Sequence, residues 1–464
     1  MKRSETIIKM RNELIEGPII KRLVGFFLPI AAGTLFQQLY NAVDAFVVGK
    51  FVGTEALAAV GGSPAILSNL IIGFFVALTG GAAVVIAQLY GAQEYDRVST
   101  AMAVSYRLCL WLGLGIGATV CLFSPQLLAL LKTPADTFDQ ALLYQRIYFS
   151  GAVFLLLFNM GSSLLRSIGD ARFPFLCLFV GCGLNIVLDV LFVIGFSWGV
   201  TGVAVATVLA QAVASLLVTG KLMALKGPFH LRFRTKGDRD LLRRMLRIGI
   251  PSGVQSSMYG LSNLLLQVGI NTLGTVVVAS WAMSGKVDGA YWAITSAFGT
   301  ALTTFVGHNY GAGKLDRIRS CAKRGFLFMS CLTLLVSGLL LLLARPLLHL
   351  LTNDAAVIDT TWYIILLFVP LYILWVPIEV FSSILRGVGD VLTPSLILAG
   401  GICGFRILWL FTAFRLSPRL FILCICYPLS WMVTDVAIYL YFRRSTVMTR
   451  AVRIIDSDYD HTAR

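Results

Sequence analysis

Tyr40 and Asp44 are four residues apart, with Asn41 between them, and Asn185 and Asp189 repeat the same interval. Three- and four-residue spacings place side chains on one face of a helix. Each set therefore offers a carboxyl group beside neutral polar groups, and Thr207 adds a hydroxyl. Oxygen ligands of this kind can hold a hard cation, with sodium at Asp44, Asn185 and Asp189 as the candidate and no other metal site suggested. Two carboxyls brought together can equally hold a proton. The competing reading is a static polar network that ties helices together. A second group lies further on. Lys286 and Asp288 are two residues apart and point to different helix faces, so they are not a simple mutual pair. Glu379 adds an acid, and Gln255, Met258, Tyr259, Met283, Tyr291 and Trp292 add amide, thioether and aromatic surface. Such surface suits apolar cations of varied shape; ordinary packing is the alternative. Arg107, Arg146, Arg406 and Asp435 read as groups that snorkel or pair locally.

These residues lie in an unusual chain. Of 464 residues, 57% are hydrophobic and only 13% charged, against about 25% charged in soluble domains. The apolar residues form blocks of membrane-spanning length. Twelve spans are expected, at 18–48, 54–86, 97–125, 135–164, 173–195, 200–225, 242–272, 276–307, 318–346, 355–384, 391–414 and 418–442. The fold class is thus an all-α membrane protein. Ionisable residues deep in such spans are costly and face a cavity or a partner. The basic start of the chain (Lys2, Arg3, Lys9, Arg11, Lys21, Arg22) has no compact apolar run of its own, so no cleavable leader is expected. The nine cysteines lie mostly inside apolar blocks (Cys109, Cys121, Cys177, Cys182, Cys331 and Cys403 among them) and read as small hydrophobes, not a disulfide framework. The net charge of +15 sits on residues flanking the blocks, which points to topology and anionic-lipid contacts and away from nucleic acid.

The spans come in two matching sets. Tyr90-Gly91-Ala92 with Asp96-Arg97 recurs as Tyr310-Gly311-Ala312 with Asp316-Arg317. Ser162-Ser163-Leu164-Leu165-Arg166, Gly169-Asp170 and Pro174 recur as Ser382-Ser383-Ile384-Leu385-Arg386, Gly389-Asp390 and Pro394. Both pairs are offset by 220 residues (310 − 90 and 386 − 166). Pro29 and Pro251 occupy the first helix of each set, where a missing N–H permits a bend. Six spans per set is an even number, so both halves enter from one side. They should be related by a pseudo-two-fold axis along the membrane normal, as two six-helix bundles. The expected domains are an amino-terminal lobe (1–226), a cytoplasmic linker (227–240), a carboxy-terminal lobe (241–445) and a cytoplasmic tail (446–464). Most of the 38 Lys and Arg fall on the side that carries both termini, while the opposite loops hold Lys50, Lys132, Arg345, Arg415 and Arg419. Both termini are therefore expected in the cytoplasm, with the chain in the inner, cytoplasmic membrane.

There is no GxxxxGK[ST] phosphate loop, no HExxH and no paired CxxC, so neither an ATP-driven pump nor an enzyme is expected. Val306-Gly307-His308-Asn309-Tyr310-Gly311-Ala312 and the two Ser-Ser-x-Leu-Arg segments resemble the multidrug and toxic compound extrusion (MATE) transporters of bacterial type, over residues 15–445. The family usually has Gln where this chain has His308. The resemblance implies two six-helix bundles facing a central cavity and rocking between inward-open and outward-open states, with drug export coupled to sodium or proton entry. It implies a first-lobe ion site at Tyr40, Asp44, Asn185, Asp189 and Thr207, with Asn41 as a neighbour, and a helix bend at Pro29. Helix seven has no acid, so only Glu379 remains for a second-lobe cation site. The expected function is a secondary antiporter, monomeric, exporting small amphipathic organic cations against H+ or Na+, with no cofactor beyond the coupling ion. The substrate cavity is expected to include Gln255, Met258, Tyr259, Met283, Lys286, Asp288, Trp292 and Glu379. A flippase for a lipid-linked saccharide and a non-transporting membrane scaffold are the rivals. The former would want a basic cavity, for which only Lys286 and Arg406 are available.

Overall fold

The computed structural model describes residues 14–225, 230–233, 235 and 237–445. Residue 226, parts of the expected linker (227–229, 234 and 236), the expected tail (446–464) and residues 1–13 lie outside the described residues. In hydrocarbon every backbone N–H and C=O needs an internal partner, so apolar blocks become helices, and the described residues contain helices and connecting turns with no strand.

The first span is α1 (Ile19–Val47), which passes into a π-helical turn at Val48–Val52. Short helix α2 (Thr54–Gly61) and α3 (Ser63–Gly91) form the second, and α4 (Tyr95–Leu130) the third. α5 (Phe138–Ser150) and α6 (Ala152–Ser167) form a fourth span bent by 46° at Gly151. α7 (Arg172–Asp189), ending in a second π-helical turn at Val190–Gly195, and α8 (Gly199–Ala224) complete the set. The second set is α9 (Arg239–Asn271), α10 (Thr275–Gly311), α11 (Leu315–Leu351), then α12 (Ala355–Phe368) joined through a 3-10 turn (Val369–Leu374) to α13 (Trp375–Gly387). The eleventh span is broken into α14 (Leu392–Leu398), a π turn (Ala399–Gly404), α15 (Phe405–Trp409) and another π turn (Leu410–Phe414). α16 (Leu420–Arg444) is the twelfth. All twelve expected spans are helical; among the described residues nine helices, or ten with the bent α5–α6 pair, are long and apolar enough to cross a membrane, while α9 and α10 are more polar. The interruptions at Gly62, Gly151, Val369–Leu374 and in the eleventh span have no counterpart in the expected spans. Pro370 accounts for one of them, since it cannot donate to the helix ladder. Pro29 and Pro251 lie within continuous helices. Large apolar side chains face outward along these spans, for example Leu130 at 78% and Leu350 at 83% exposure. That is the reverse of a water-soluble surface and suits a lipid boundary.

The described chain divides into two compact units. One is Gly25–Ser257; the other begins at Met258 and includes the residues just before Gly25. The divisions fall inside α1 and α9, not in the connecting segments. In the first unit α3 and α9 touch backbone to backbone: a Cβ on Gly81 would collide with the Met245 carbonyl oxygen and the Gly249 backbone. Only glycine allows that approach.

The repeated motifs explain themselves here. At the end of α6, Gly169 has φ +95 and its twin Gly389, after α13, has φ +92, the left-handed region that glycine enters freely. Around them Asp170 N donates to Leu165 O and Asp390 N to Leu385 O, both at 2.9 Å, closing the same helix-ending turn. The Tyr-Gly-Ala motifs hold chain segments. In the first unit Gln88 Oε1 accepts from Arg244 Nη2 at 2.5 Å, and Ser99 Oγ donates to the His230 carbonyl at 2.7 Å. In the second unit Asn309 Nδ2 donates to Leu14 O (3.1 Å), Lys314 Nζ to Ile15 O (3.3 Å) and Arg317 Nη1 to Gly17 O (2.9 Å). Each motif therefore fixes the segment that leads into a first helix of a set.

Candidate functional site

In the first unit, Asp44 stands one turn before the π turn that ends the first span, and Asp189 is the last residue before the π turn of the fifth. A π turn opens the helix ladder and re-aims side chains, and such turns recur at functional sites. The two π turns pack on one another, supported by an apolar cluster of Val47, Val48, Val193, Val200 and Val203. This brings the two carboxyl groups within hydrogen-bonding reach of each other. Asp189 and Asn185 are each only 1% exposed. The Asn185 amide, assigned by its surroundings, donates from nitrogen to Tyr40 Oη (3.2 Å) and Asp189 Oδ2 (3.0 Å) and accepts the Thr207 N–H on its oxygen (3.1 Å). Thr207 Oγ1 donates to the Val203 carbonyl at 3.0 Å. Asp44 Oδ1 and Asp189 Oδ1 are both buried and meet no donor. A cavity of about 80 Å³ adjoins the cluster, lined by Gln37, Tyr40, Asn185, Thr207 and Gln211 among others. On α5, Tyr144 and Tyr148 stack with ring centroids 5.8 Å apart and lie within electrostatic range of Asp44. Neither tyrosine is marked by the sequence pattern, because α5 joins the cluster only through the tertiary fold. Of the residues read from sequence, Tyr40, Asp44, Asn185, Asp189 and Thr207 converge. Asn41 stands exposed, outside these hydrogen bonds.

The second unit builds a different interior. A cavity of about 560 Å³ is walled by Tyr259, Trp281, Asp288, Trp292, Phe368, Tyr372, Trp375, Arg406, Tyr427 and Trp431, with Asn263, Gln267, Ser284 and Gly285. Asp288 Oδ2 accepts from Tyr372 Oη at 2.7 Å and from Trp292 Nε1 at 3.3 Å. Tyr372 stacks on Tyr291 at 4.3 Å between centroids, and Tyr291 Oη donates to the Tyr372 carbonyl. Glu379 accepts from Trp375 Nε1 (3.2 Å) and Ser383 Oγ (3.3 Å), packed over Gly299 where a Cβ would leave it no room. Tyr259, Asp288 and Trp292 thus belong to the cavity wall. Met258, Met283 and Glu379 are half-buried beside the aromatic cluster or on its helices and are not wall residues. Lys286 is exposed, and the two-residue spacing puts it on a different helix face from Asp288. Gln255 falls in the first unit. Arg406, read from sequence as snorkelling or pairing locally, does not snorkel: it is 5% exposed, with its guanidinium carbon 3.8 Å from the Tyr427 ring centroid and Nε donating to Ser430 Oγ at 3.2 Å.

Twelve helical spans in two matching sets, up to ten of them apolar enough to cross a membrane, each set enclosing polar groups within a helical bundle, define a membrane transporter. The MatE family model matches residues 29–191 and again 251–412. That is more than half of the chain, which belongs to the MATE family of multidrug efflux transporters. It is similar to the probable multidrug resistance protein YoeA of Bacillus subtilis (27% identical over 443 residues; 92% of this chain, 94% of the relative). It is similar also to the multidrug export protein MepA of Staphylococcus aureus (22% over 431 residues; 91% of each chain). Among solved structures, an outward-facing MATE family transporter matches with TM-score 0.86 at 25% identity, covering 95% of this chain and 98% of that one. A MATE crystal structure in complex with MaL6 matches with TM-score 0.88 at 24% identity, covering 96% and 99%.

Proposed function

We propose that this protein is a secondary antiporter that exports amphipathic organic compounds, cationic dyes among them, in exchange for H+ or Na+ held by Asp44 and Asp189. The observation that carries the reading is the pair of buried carboxyl oxygens, Asp44 Oδ1 and Asp189 Oδ1, that meet no protein donor. Leaving charged oxygens buried and unpaired is costly; a proton or a small cation removes that cost. Among the described residues no group of three or more His, Cys, Asp or Glu could hold a metal ion. The oxygens grouped here are two carboxyls with the hydroxyls of Tyr40 and Thr207, with the Asn185 amide beside them, a low total charge that suits a monovalent ion. Sodium would be held by the two carboxyls with a hydroxyl from Thr207 or Tyr40, and by Asn185 once its amide turns to present oxygen; a proton would be shared by the carboxyls themselves.

An ion drives transport only through different affinities for the two states of the carrier. Carrying the balance from 1:99 to 99:1 takes about 5.5 kcal/mol. The two π turns beneath the acids are the elements whose repacking would alter the carboxyl separation, and hence that affinity. Pro29, on the same span as Asp44, supplies a point where α1 can bend without losing a hydrogen bond it never had. We place the protein in the cytoplasmic membrane with both termini inside, on the distribution of Lys and Arg. Ethidium efflux from cells or vesicles tests the reading. Asp44→Asn should reduce efflux to background while the protein remains in the membrane at normal amount; transport at the wild-type rate would remove Asp44 from the mechanism. Imposing a sodium gradient alone, then a pH gradient alone, names the coupling ion.

A further inference from the structure

Among the described residues Arg406 is the one basic side chain lining the carboxy-terminal cavity, and no acid stands within ion-pair distance of it. It lies on five-residue helix α15 between two π turns, deep in the eleventh span, and is 95% buried by its 5% exposure. Its side chain is spoken for in two ways. One face of the guanidinium covers the Tyr427 ring, and Nε donates to Ser430 Oγ. Neither supplies negative charge, and among the described residues Arg406 has no ion pair. Guanidinium carries five N–H donors, and its two Nη groups present a fork that fits a carboxylate with two parallel hydrogen bonds. The cavity's own carboxylate, Asp288, instead takes its donors from Tyr372 and Trp292. An uncompensated buried cation in a membrane span marks a site for a counter-charge.

The rest of the wall describes what carries that counter-charge. Trp281, Phe368, Trp292, Trp375 and Trp431 give it flat apolar faces, which favour aromatic partners in stacked or edge-on contact. Its volume of about 560 Å³ falls in the range of pockets that enclose drug-sized molecules. We infer that the carboxy-terminal lobe binds a small aromatic organic anion, a carboxylate in the simplest case, with the anionic group on the Arg406 fork and the ring among the tryptophans. This goes beyond the transport reading above: in this lobe the Arg406 fork offers an anion a partner, while the Asp288 carboxyl on the same wall is already engaged by Tyr372 and Trp292.

The experiment is equilibrium binding to the purified full-length protein in phosphatidylcholine nanodiscs, with no ion gradient. The probes are naphthoate, its neutral amide, and the amine cation of the same ring. Wild-type protein should bind naphthoate tighter than the amide by roughly tenfold or more, the worth of a charge-assisted hydrogen-bonded pair, and should bind the amine weakest. Arg406→Gln should bring carboxylate and amide to parity, and Arg406→Lys, which keeps the charge but loses the fork, should fall between. Equal binding of carboxylate and amide by wild type overturns the inference, and that comparison needs no folded variant. A preference that survives Arg406→Gln also overturns it. Nanodiscs rich in phosphatidylglycerol form the last arm: displacement of naphthoate there would assign the fork to a lipid headgroup and overturn the small-molecule assignment, while unchanged binding supports it. Because no gradient is applied, loss of this binding leaves the Asp44–Asp189 coupling reading standing, and unimpaired efflux by Asp44→Asn leaves this one standing.

Discussion

The fifth and eleventh spans are equivalent under the internal repeat, and they differ where it matters. Both start after the same glycine-closed turn, and both are opened by π turns. The fifth delivers Asn185 and Asp189 to a tight cluster beside a cavity of about 80 Å³. The eleventh delivers Arg406 to an aromatic cavity of about 560 Å³. At the repeat offset Asp189 meets Trp409 and Arg406 meets Ile186. The backbone solution was kept in both halves while the charge at its centre was reversed. What repeats is therefore architecture, namely turns and the clasps on incoming segments; what differs is the chemistry. An internal repeat locates the scaffold, and its mismatches locate the sites.

The comparison breaks most sharply at the acid pair. Asp189→Asn should stop ion-coupled efflux as completely as Asp44→Asn, since either removes one of two carboxyls that act together; efflux rates in everted vesicles, normalised to protein amount, check this. Gly81→Val comes next. It inserts branched side-chain volume where α3 and α9 touch by backbone, and overpacking of this kind costs about 1–3 kcal/mol. A lowered midpoint in a thermal aggregation assay is expected. Tyr372→Phe removes the 2.7 Å donor from Asp288 and should cost about 1–3 kcal/mol, the penalty for a buried acceptor losing a partner. The same assay measures it, and ethidium coupling through Asp44 should persist. The smallest effect belongs to the clasps. Asn309→Ala should cost about 0.5–1.5 kcal/mol, seen as faster proteolysis of the segment before α1. Gln88→Ala should loosen the linker before α9 by a similar amount; an effect in only one half would mean the repeated motifs have diverged in role.

The first-lobe cluster was legible because helical spacing is local: Tyr40 with Asp44, and Asn185 with Asp189, share faces whatever the rest of the chain does. That Asn41 falls outside was not legible, since a residue three before Asp44 lies at the margin of that face. Tyr144, Tyr148 and the π turns carried no pattern of their own. For Arg406 the sequence left two readings, snorkelling or local pairing, and the structure has the second, on Tyr427 and Ser430; a lone arginine in an apolar block looks the same whether it reaches to the headgroups or folds back onto a tyrosine.

By itself the sequence determined that this chain is a twelve-span helical membrane protein with two related halves, and that several of its acids are buried. Apolar run length, charge placement and the 220-residue offset are properties of the chain in order, and hydrocarbon leaves the backbone no alternative to helix. Only the tertiary structure decided which charges meet. Asp44 and Asp189 are 145 positions apart (189 − 44), and whether they share a pocket depends on two π turns packing together. Whether Arg406 finds an acid or an aromatic ring depends on how the eleventh and twelfth spans rotate against each other, and rotation about a helix axis is set by packing, which no single span encodes.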